Sequence, residues 1–173
     1  MKILAFFAAA FVATTSSAAA ETRTGMTRID IDTEIVISAP VETVWAVLSD
    51  IDAYAEWNPY HVSVSGKLQE GSELSLDILK PNGKAVHIKP HVLEIDPHRS
   101  LVWGGGPRWI FRGEHRFDLE PLGATCTRLR HTEVFAGLFV RAARLGSIEE
   151  GYVQMNEALK RRVEAESSGV CGN

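Results

Sequence analysis

The chain has 173 residues, of which 45% are hydrophobic and 23% are charged, and its formal net charge is −4. These values fit one soluble globular domain and exclude a multidomain machine or a membrane bundle. An acidic chain has no electrostatic reason to bind a polyanion, so we expect no nucleic-acid partner.

The first twenty residues have the layout of a secretory signal peptide. Lys2 supplies a positive charge, residues 3–13 form an apolar run, and small residues follow up to Ala20. We therefore expect cleavage after Ala20 and a mature protein that is periplasmic or secreted. No later stretch reaches the roughly 20 apolar residues of a membrane-spanning helix, so we expect no stable membrane anchor.

The mature chain begins with a polar segment at residues 21–28, which we expect to be flexible. Across residues 29–37, apolar residues alternate with charged ones, which is the period of a half-buried strand. Pro40 then opens a short helix, because proline suits the first helical turn. A second short helix or a turn is predicted over residues 52–57, and it ends at Asn58 because the residue before a proline avoids the helical conformation.

The middle of the chain has the pattern of an antiparallel meander. Turn residues separate six strand-sized runs, at residues 61–68, 74–79, 84–95, 101–104, 109–119 and 125–135. Asn82 and Gly83 give the strongest hairpin signal, since both residues tolerate a positive φ. His87, His91 and His98 fall in this region, and we expect them at the surface.

The last part of the chain has the period of one long helix. Apolar residues recur every three or four positions, at Leu145, Ile148, Tyr152, Met155, Leu159 and Val163. We expect this helix at residues 138–166, with a kink or a close approach to neighbouring backbone at Gly146 and Gly151. The elements predict an α+β fold over residues 29–166, with a tail at 167–173. A seven-stranded curved antiparallel sheet grips the C-terminal helix, and two short helices follow the first strand.

Two imidazoles and one carboxylate are predicted on the concave face of the sheet. Alternation places His115 inside in the penultimate strand, and it places His131 and Glu133 inside in the last strand. A tight turn between these strands would put His115 opposite Leu129 or His131. The three groups can form a buried cluster, orient a ligand, exchange a proton or bind a metal. No metal spacing or known catalytic motif accompanies them, so we expect no metal and no cofactor.

Several short motifs, taken in order, resemble one protein family. They are residues 35–45 (IVISAPVETVW), residues 54–59 (YAEWNP), Gly66 with Gly71, residues 96–97 (DP) before 101–103 (LVW), and residues 131–137 (HTEVFAG). With the long closing helix they resemble the polyketide cyclase/dehydrase and lipid-transport branch of the START-like (SRPBCC) superfamily. The resemblance implies a helix-grip fold with a cavity between sheet and helix. It implies no single reaction, because members include carriers, sensors, cyclases and oxygenase domains.

The resemblance also places residues 54–59 at the mouth of the cavity, and ordinary core packing is the alternative for these aromatic residues. The expected ligand contacts combine this segment with the inward positions of the strands and the helix. They are Tyr54, Trp57, Asn58, Trp103, Trp109, Phe111, His115, His131, Glu133, Phe135, Ile148, Tyr152 and Met155.

Cys126 and Cys171 are the two cysteines of the chain, and they match no metal-binding spacing. The long helix runs back from the end of the last strand, so its C-terminal end arrives near the beginning of that strand, where Cys126 lies. We therefore expect a disulfide between Cys126 and Cys171, which an oxidising compartment would preserve.

Three functions remain open from the sequence. The leading hypothesis is a non-catalytic exported protein, a monomer or weak dimer, that holds a small hydrophobic or amphipathic molecule between sheet and helix. The first alternative is a cyclase- or dehydratase-like enzyme in which His131 or His115 transfers a proton and Glu133 orients it. The second alternative is an interaction or stress module with a vestigial cavity, which an exposed apolar patch in place of a pocket would indicate.

Overall fold

The structure of the protein is a computed structural model, and it describes residues 19–143, 145–167 and 171. Most of the expected signal peptide, residues 1–18, lies outside the described residues. The strands in the described ranges are β1 (Ala19–Thr24), β2 (Arg28–Ile37), β3 (His61–Gly66), β4 (Leu74–Leu79), β5 (Ala85–Ile88), β6 (His91–Asp96), β7 (Ser100–Gly105), β8 (Arg112–Pro121) and β9 (Thr127–Ala136). The helices are α1 (Val41–Ser49), α2 (Tyr54–Trp57) and α3 (Ile148–Glu166), with a 3₁₀ turn at Ile51–Ala53 before α2.

The strands form two antiparallel sheets, where the sequence predicted one sheet of seven strands. The larger sheet has the order β1-β2-β9-β8-β7-β6 and the smaller one the order β3-β4-β5. An isolated bridge between Glu73 and His91 connects them, and the backbone N–H of Leu74 donates to the carbonyl of Pro90 at 2.8 Å beside it. The predicted strand at residues 84–95 is interrupted near Pro90, which has no N–H to donate to a ladder. Its two halves, β5 and β6, belong to different sheets, while the α+β class and the helix-grip arrangement are confirmed.

An edge strand that the sequence did not predict extends the larger sheet. β1 pairs with β2 from Ala19 opposite Glu34 to Thr24 opposite Ile29. All side chains of β1 are exposed, so the strand is held by backbone hydrogen bonds, which a search for apolar alternation does not detect. The segment at residues 21–28, expected to be flexible, therefore contains most of β1 and the first residue of β2.

Alternation along the last strand separates the core from the surface as predicted. In β9, Leu129, His131, Glu133 and Phe135 are buried, and the residues between them are at least partly exposed. The polar groups of β9 therefore lie on the concave face of the larger sheet together with the apolar core.

The register of the hairpin between β8 and β9 differs from the expected one. β8 continues through Pro121, a residue that the sequence assigned to the turn, and the pairing with β9 shifts accordingly. His115 lies opposite Glu133, and the expected pairing with Leu129 or His131 is wrong. The observed register places a carboxyl and an imidazole directly side by side on the concave face.

The C-terminal helix is shorter than expected, since α3 begins at Ile148 and not near residue 138. The backbone N–H groups of Gly137, Leu138 and Phe139 donate to carbonyl oxygens of other segments at 3.0 to 3.1 Å. These bonds hold residues 137–139 against other segments, and Ser147, at a φ of 66°, interrupts the helical conformation directly before α3. Gly146 consequently lies in the connection before α3, where it breaks no helical turn.

The buried face of α3 packs across the larger sheet. Tyr152, Met155, Leu159 and Val163 are buried, as the apolar period predicted. A Cβ atom on Gly151 would lie 2.3 Å from the ring of Tyr60, so the close approach at this glycine is to a side chain and not to backbone. In the described ranges, no helix is both long and apolar enough to span a membrane.

A disulfide joins Cys126 to Cys171, with the two Cα atoms 5.4 Å apart. It connects the residue before β9 to the tail that follows α3. The free end of the closing helix is therefore tied covalently to the sheet that it covers.

Candidate functional site

A cavity of about 400 Å³ lies between the concave face of the larger sheet, the smaller sheet and the N-terminal half of α3. Its volume falls within the range of small-molecule pockets. Apolar side chains form most of the wall: Ile78, Val86, Ile88, Trp103, Phe111, Phe135, Leu145 and Ile148. The polar side chains that border it are Tyr60, His61, Lys80, Lys89, His115, Glu133 and Tyr152, and Pro90 with Gly104, Gly105, Gly106 and Gly113 completes the lining.

Much of the predicted ligand-contacting set borders this cavity. The residues in question are Trp103, Phe111, His115, Glu133, Phe135, Ile148 and Tyr152. His131 and Met155 are fully buried behind the wall, where His131 contacts the cavity only through its hydrogen bond to His115. Their contact with a ligand stays a prediction.

The aromatic segment around α2 packs into the core and does not border the cavity. Tyr54 is buried, and its hydroxyl donates to a backbone carbonyl of α1 at 2.7 Å. The ring of Trp57 packs against Tyr54 with the centroids 4.9 Å apart. The Oδ1 atom of Asn58 accepts the backbone N–H groups of Tyr60 and His61 at 3.0 and 2.9 Å. The core-packing alternative therefore describes this segment.

Trp109 was expected on the inward face, and this expectation is wrong. The residue lies in a turn closed on the carbonyl of Pro107, before β8 begins, so the alternation of β8 does not extend back to it. Its side chain is 84% exposed. Ile110, Leu138 and Phe139 are exposed beside it, and backbone hydrogen bonds join the two loops. This apolar patch occurs together with the cavity and does not replace it.

Tyr60 and His61 also border the cavity, and neither was predicted from the sequence. One signal for Tyr60 was present, because a glycine inside a helix, here Gly151, indicates a close neighbour. His61 had no such signal, since pairing of β3 with β4 is irregular between His61 and Ser63 and the alternation is correspondingly blurred. Its position in the cavity depends on how the smaller sheet folds over the larger one.

A chain of hydrogen bonds runs from the core toward the cavity, and its first donors can be assigned. The Thr33 hydroxyl donates its proton to the backbone carbonyl of His131 at 2.9 Å. The oxygen of that hydroxyl therefore accepts the hydrogen bond from Nδ2 of Asn156, also at 2.9 Å. Oδ1 of Asn156 then faces Nδ1 of His131 at 2.7 Å and accepts its proton. Burial lowers the pKa of His131 well below its ordinary value, so the ring is neutral and Nε2 is an acceptor.

The chain continues from His131 to the wall of the cavity. His115 donates from Nε2 to Nε2 of His131 at 2.9 Å. Burial lowers the pKa of His115 to about 3, so this ring is also neutral and its Nδ1 is an acceptor. Nδ1 lies 2.7 Å from Oε2 of Glu133 and 3.1 Å from the hydroxyl of Tyr152, which itself donates to Oε2 at 2.6 Å. The contact between His115 and Glu133 needs a proton, which the carboxyl supplies.

Glu133 is therefore a neutral acid in the wall of the cavity. Burial raises the pKa of its carboxyl to about 8, and the hydrogen bond from Tyr152 opposes this shift. A Cβ atom on Gly113 would lie 2.9 Å from Oε1 of Glu133, so the glycine leaves that oxygen free space. Trp103 stacks on His115 with the ring centroids 5.1 Å apart and fixes the imidazole. The Oε1 atom can accept a hydrogen bond from a ligand hydroxyl, and the proton that Glu133 shares with His115 gives the pair the means for acid–base chemistry.

Metal binding finds no support in the geometry of the site. Across the described residues, no group of three or more His, Cys, Asp or Glu side chains has an arrangement that could hold a metal ion. The nitrogens of His115 and His131 are engaged with each other, with Glu133 and with Asn156.

A curved sheet that holds a C-terminal helix over an internal cavity defines the helix-grip class of fold. The chain belongs to the polyketide cyclase/dehydrase and lipid transport family, whose sequence model matches residues 28–164. No curated protein matches the sequence.

Solved structures give the same result for the fold. The Zhui aromatase/cyclase from Streptomyces sp. R1128 is similar with a TM-score of 0.68 and 18% identity, over 83% of this chain and 99% of that chain. A START superfamily protein from Mycobacterium smegmatis has a TM-score of 0.60 and 22% identity, over 80% and 99% of the two chains. A conserved protein of unknown function from Enterococcus faecalis has a TM-score of 0.61 and 20% identity, over 87% and 80%. At these identities the likeness establishes the fold alone.

Proposed function

We propose that the protein binds a small hydrophobic molecule in this cavity and directs an oxygen of that molecule at Glu133. The observation that carries the proposal is a cavity of about 400 Å³ with a largely apolar wall and one buried neutral acid. An apolar wall favours burial of the hydrophobic body of a ligand. A few convergent polar groups fix its orientation, which is the usual composition of a ligand pocket.

The proposal includes export to the periplasm or the medium. The signal-peptide layout of residues 1–20 supports it, and so does the Cys126–Cys171 disulfide, because disulfides persist in oxidising compartments. Expression in the native host followed by cell fractionation and N-terminal sequencing tests this part. We expect exported protein that begins at Glu21, and full-length protein retained in the cytoplasm would overturn it.

Binding can be tested without knowing the natural ligand. Protein purified from its native host is extracted with organic solvent, and the extract is analysed by mass spectrometry for a stoichiometric small molecule. In parallel, the neutral fluorescent probe N-phenyl-1-naphthylamine is titrated into the delipidated protein. We expect a single saturable site that the extracted molecule displaces.

Two variants separate the cavity from the exposed apolar patch. Ile148→Trp adds bulk to a residue that lines the cavity and should weaken probe binding by at least tenfold. Trp109→Ser removes the most exposed ring of the patch and should leave binding unchanged. The opposite result, with loss in Trp109→Ser alone, would place the probe on the surface and contradict the proposal.

A second candidate function is acid–base catalysis on the bound molecule. The observation that favours it is the neutral Glu133 carboxyl in contact with His115 at the cavity wall, since such a pair can deliver and recover a proton. The similar aromatase/cyclase fold agrees with this reading. The extracted molecule is incubated with apo-protein, and mass spectrometry follows loss of water or isomerisation. Turnover that disappears in Glu133→Gln favours catalysis, and an unchanged molecule favours binding alone.

A further inference from the structure

His61 is a polar group in the cavity wall that the buried hydrogen-bond chain does not use. It opens β3, is 2% exposed and borders the cavity. Its ring centroid lies 5.1 Å from that of His115 and 5.8 Å from that of Trp103. The imidazole is therefore next to the acid site without being part of it.

The Nδ1 atom of His61 is buried and has no hydrogen-bond partner among the described residues. The nearest imidazole cannot serve, because both nitrogens of His115 are already engaged, with Glu133 and with His131. The backbone of His61 is held in place by the bond from its N–H to Asn58. Trp57 and Asn58 also have buried unpartnered nitrogens, but neither residue borders the cavity.

We propose that His61 is a second polar anchor of the ligand site and that its Nδ1 atom binds a hydroxyl group of the ligand. This inference rests on the proposed function, and it narrows the ligand to a hydrophobic molecule with two oxygen functions, one at Glu133 and a hydroxyl at His61. A hydroxyl satisfies either tautomer of a neutral imidazole, since it both donates and accepts. A carboxylate is a poor occupant, because burial and the neighbouring histidines keep His61 uncharged.

Probes that differ only in their hydroxyl groups test the second anchor. Naphthalene, naphthol and a panel of naphthalenediols are titrated calorimetrically into the wild-type protein, His61→Phe and His61→Asn. Phe keeps a ring of similar size without a nitrogen, and Asn places an amide near the position of Nδ1. In the wild type, we expect the best diol to bind about 3- to 10-fold more tightly than naphthol, the usual worth of one neutral hydrogen bond.

The variants decide which group provides that advantage. In His61→Phe the diol should lose its advantage over naphthol, and His61→Asn should recover part of that advantage. An equal diol advantage in wild type and His61→Phe would overturn the role of His61 and leave the proposed function standing. If no naphthalene derivative binds any of the proteins, the proposed function fails and this inference fails with it.

A spectroscopic measurement keeps the test independent of whether the variants fold. The wild-type protein is labelled with ¹⁵N at histidine, and the Nδ1 resonance of His61 is followed during titration with the best diol and with naphthol. The diol should shift this resonance and naphthol should not, because a new hydrogen bond changes the nitrogen environment. A His61 resonance that is unchanged at saturation with the diol would overturn the proposal.

Discussion

Thr33 determines which atom of the buried chain carries each proton. Its hydroxyl must donate to the backbone carbonyl of His131, because a carbonyl only accepts. Asn156, His131 and His115 then each have one possible donor and acceptor in the chain that ends at Glu133. Thr33→Val keeps the shape and removes the hydroxyl, which frees Asn156 to turn. The reversed chain would let His115 donate to an ionised Glu133. We therefore expect the pKa of Glu133 to fall below its wild-type value of about 8, as measured by NMR of ¹³C-labelled carboxyl groups.

The matched control for this prediction is Thr33→Ser, which keeps the hydroxyl and should keep the Glu133 pKa near that of the wild type. The same pKa in Thr33→Val and Thr33→Ser would show that the hydroxyl does not orient the chain.

The polar site could be predicted in part from single residues. Alternation along two strands was enough to place His115, His131 and Glu133 on one face. It could not identify Thr33 or Asn156 as partners, because their contacts depend on the rotation of α3 over the sheet. It also could not predict which histidine meets the acid, since that depends on the register of one hairpin.

At the scale of the element, Gly151 lets α3 lie close to the smaller sheet. A Cβ atom there would lie 2.3 Å from two atoms of the Tyr60 ring, so the substitution has to displace that ring or the helix. Gly151→Ala should destabilise the protein by about 1–3 kcal/mol, although alanine is the better helix former. Urea unfolding measures this change.

Gly146→Ala is the control for Gly151→Ala, because a Cβ atom on Gly146 would meet nothing within 4 Å. This variant should change the free energy of unfolding by less than about 0.5 kcal/mol. Equal effects of the two substitutions would mean that the contact with Tyr60 does not limit the helix.

The existence of the elements was easier to predict than their ends. The period of α3 was visible in the sequence, but its start was misplaced because Ser147 adopts a left-handed conformation that no apolar period reveals. The break at Pro90 was also visible, but not that the two halves of the predicted strand would join different sheets. Pairings between distant segments decide the second point.

At the scale of the whole molecule, four buried titratable groups should give a stability optimum near pH 6.5. Burial raises the pKa of Glu133 from its ordinary 4.5 to about 8. Between these two pH values the folded state holds a proton that the unfolded state has already lost. The contribution of Glu133 to stability therefore falls as the pH rises from 4.5 to 8. Burial lowers the pKa values of His61, His115 and His131 from 6.5, so stability also falls as the pH drops below 6.5.

Urea unfolding as a function of pH measures both arms of this dependence. Between pH 6.5 and 8 the loss should be about 1.4 kcal/mol per pH unit, the linkage of one proton. Glu133→Gln keeps the shape of the neutral acid and should flatten this arm while leaving the acid arm in place. An alkaline arm of equal slope in the variant would assign the titration to another group.

The overall architecture was predictable because it depends on many residues at once. Strand and helix periods summed over the chain define an α+β fold with a closing helix, and an error at a single position does not change that result. The division into two sheets and the edge strand β1 were not predictable, since both depend on backbone pairing that leaves little trace in apolar periodicity.

The disulfide has a consequence for the lifetime of the protein. It closes a loop across 45 sequence positions and ties down the tail after α3, whereas the cavity lies at the opposite end of that helix. Reduction should therefore cost about 4 kcal/mol of stability on the chain-entropy model and leave probe affinity unchanged. Pulse proteolysis and probe titration with and without dithiothreitol measure the two effects, and weaker binding after reduction would contradict their separation. The covalent tie thus governs how long the fold resists proteolysis, and the affinity of the cavity is set at the other end of the helix.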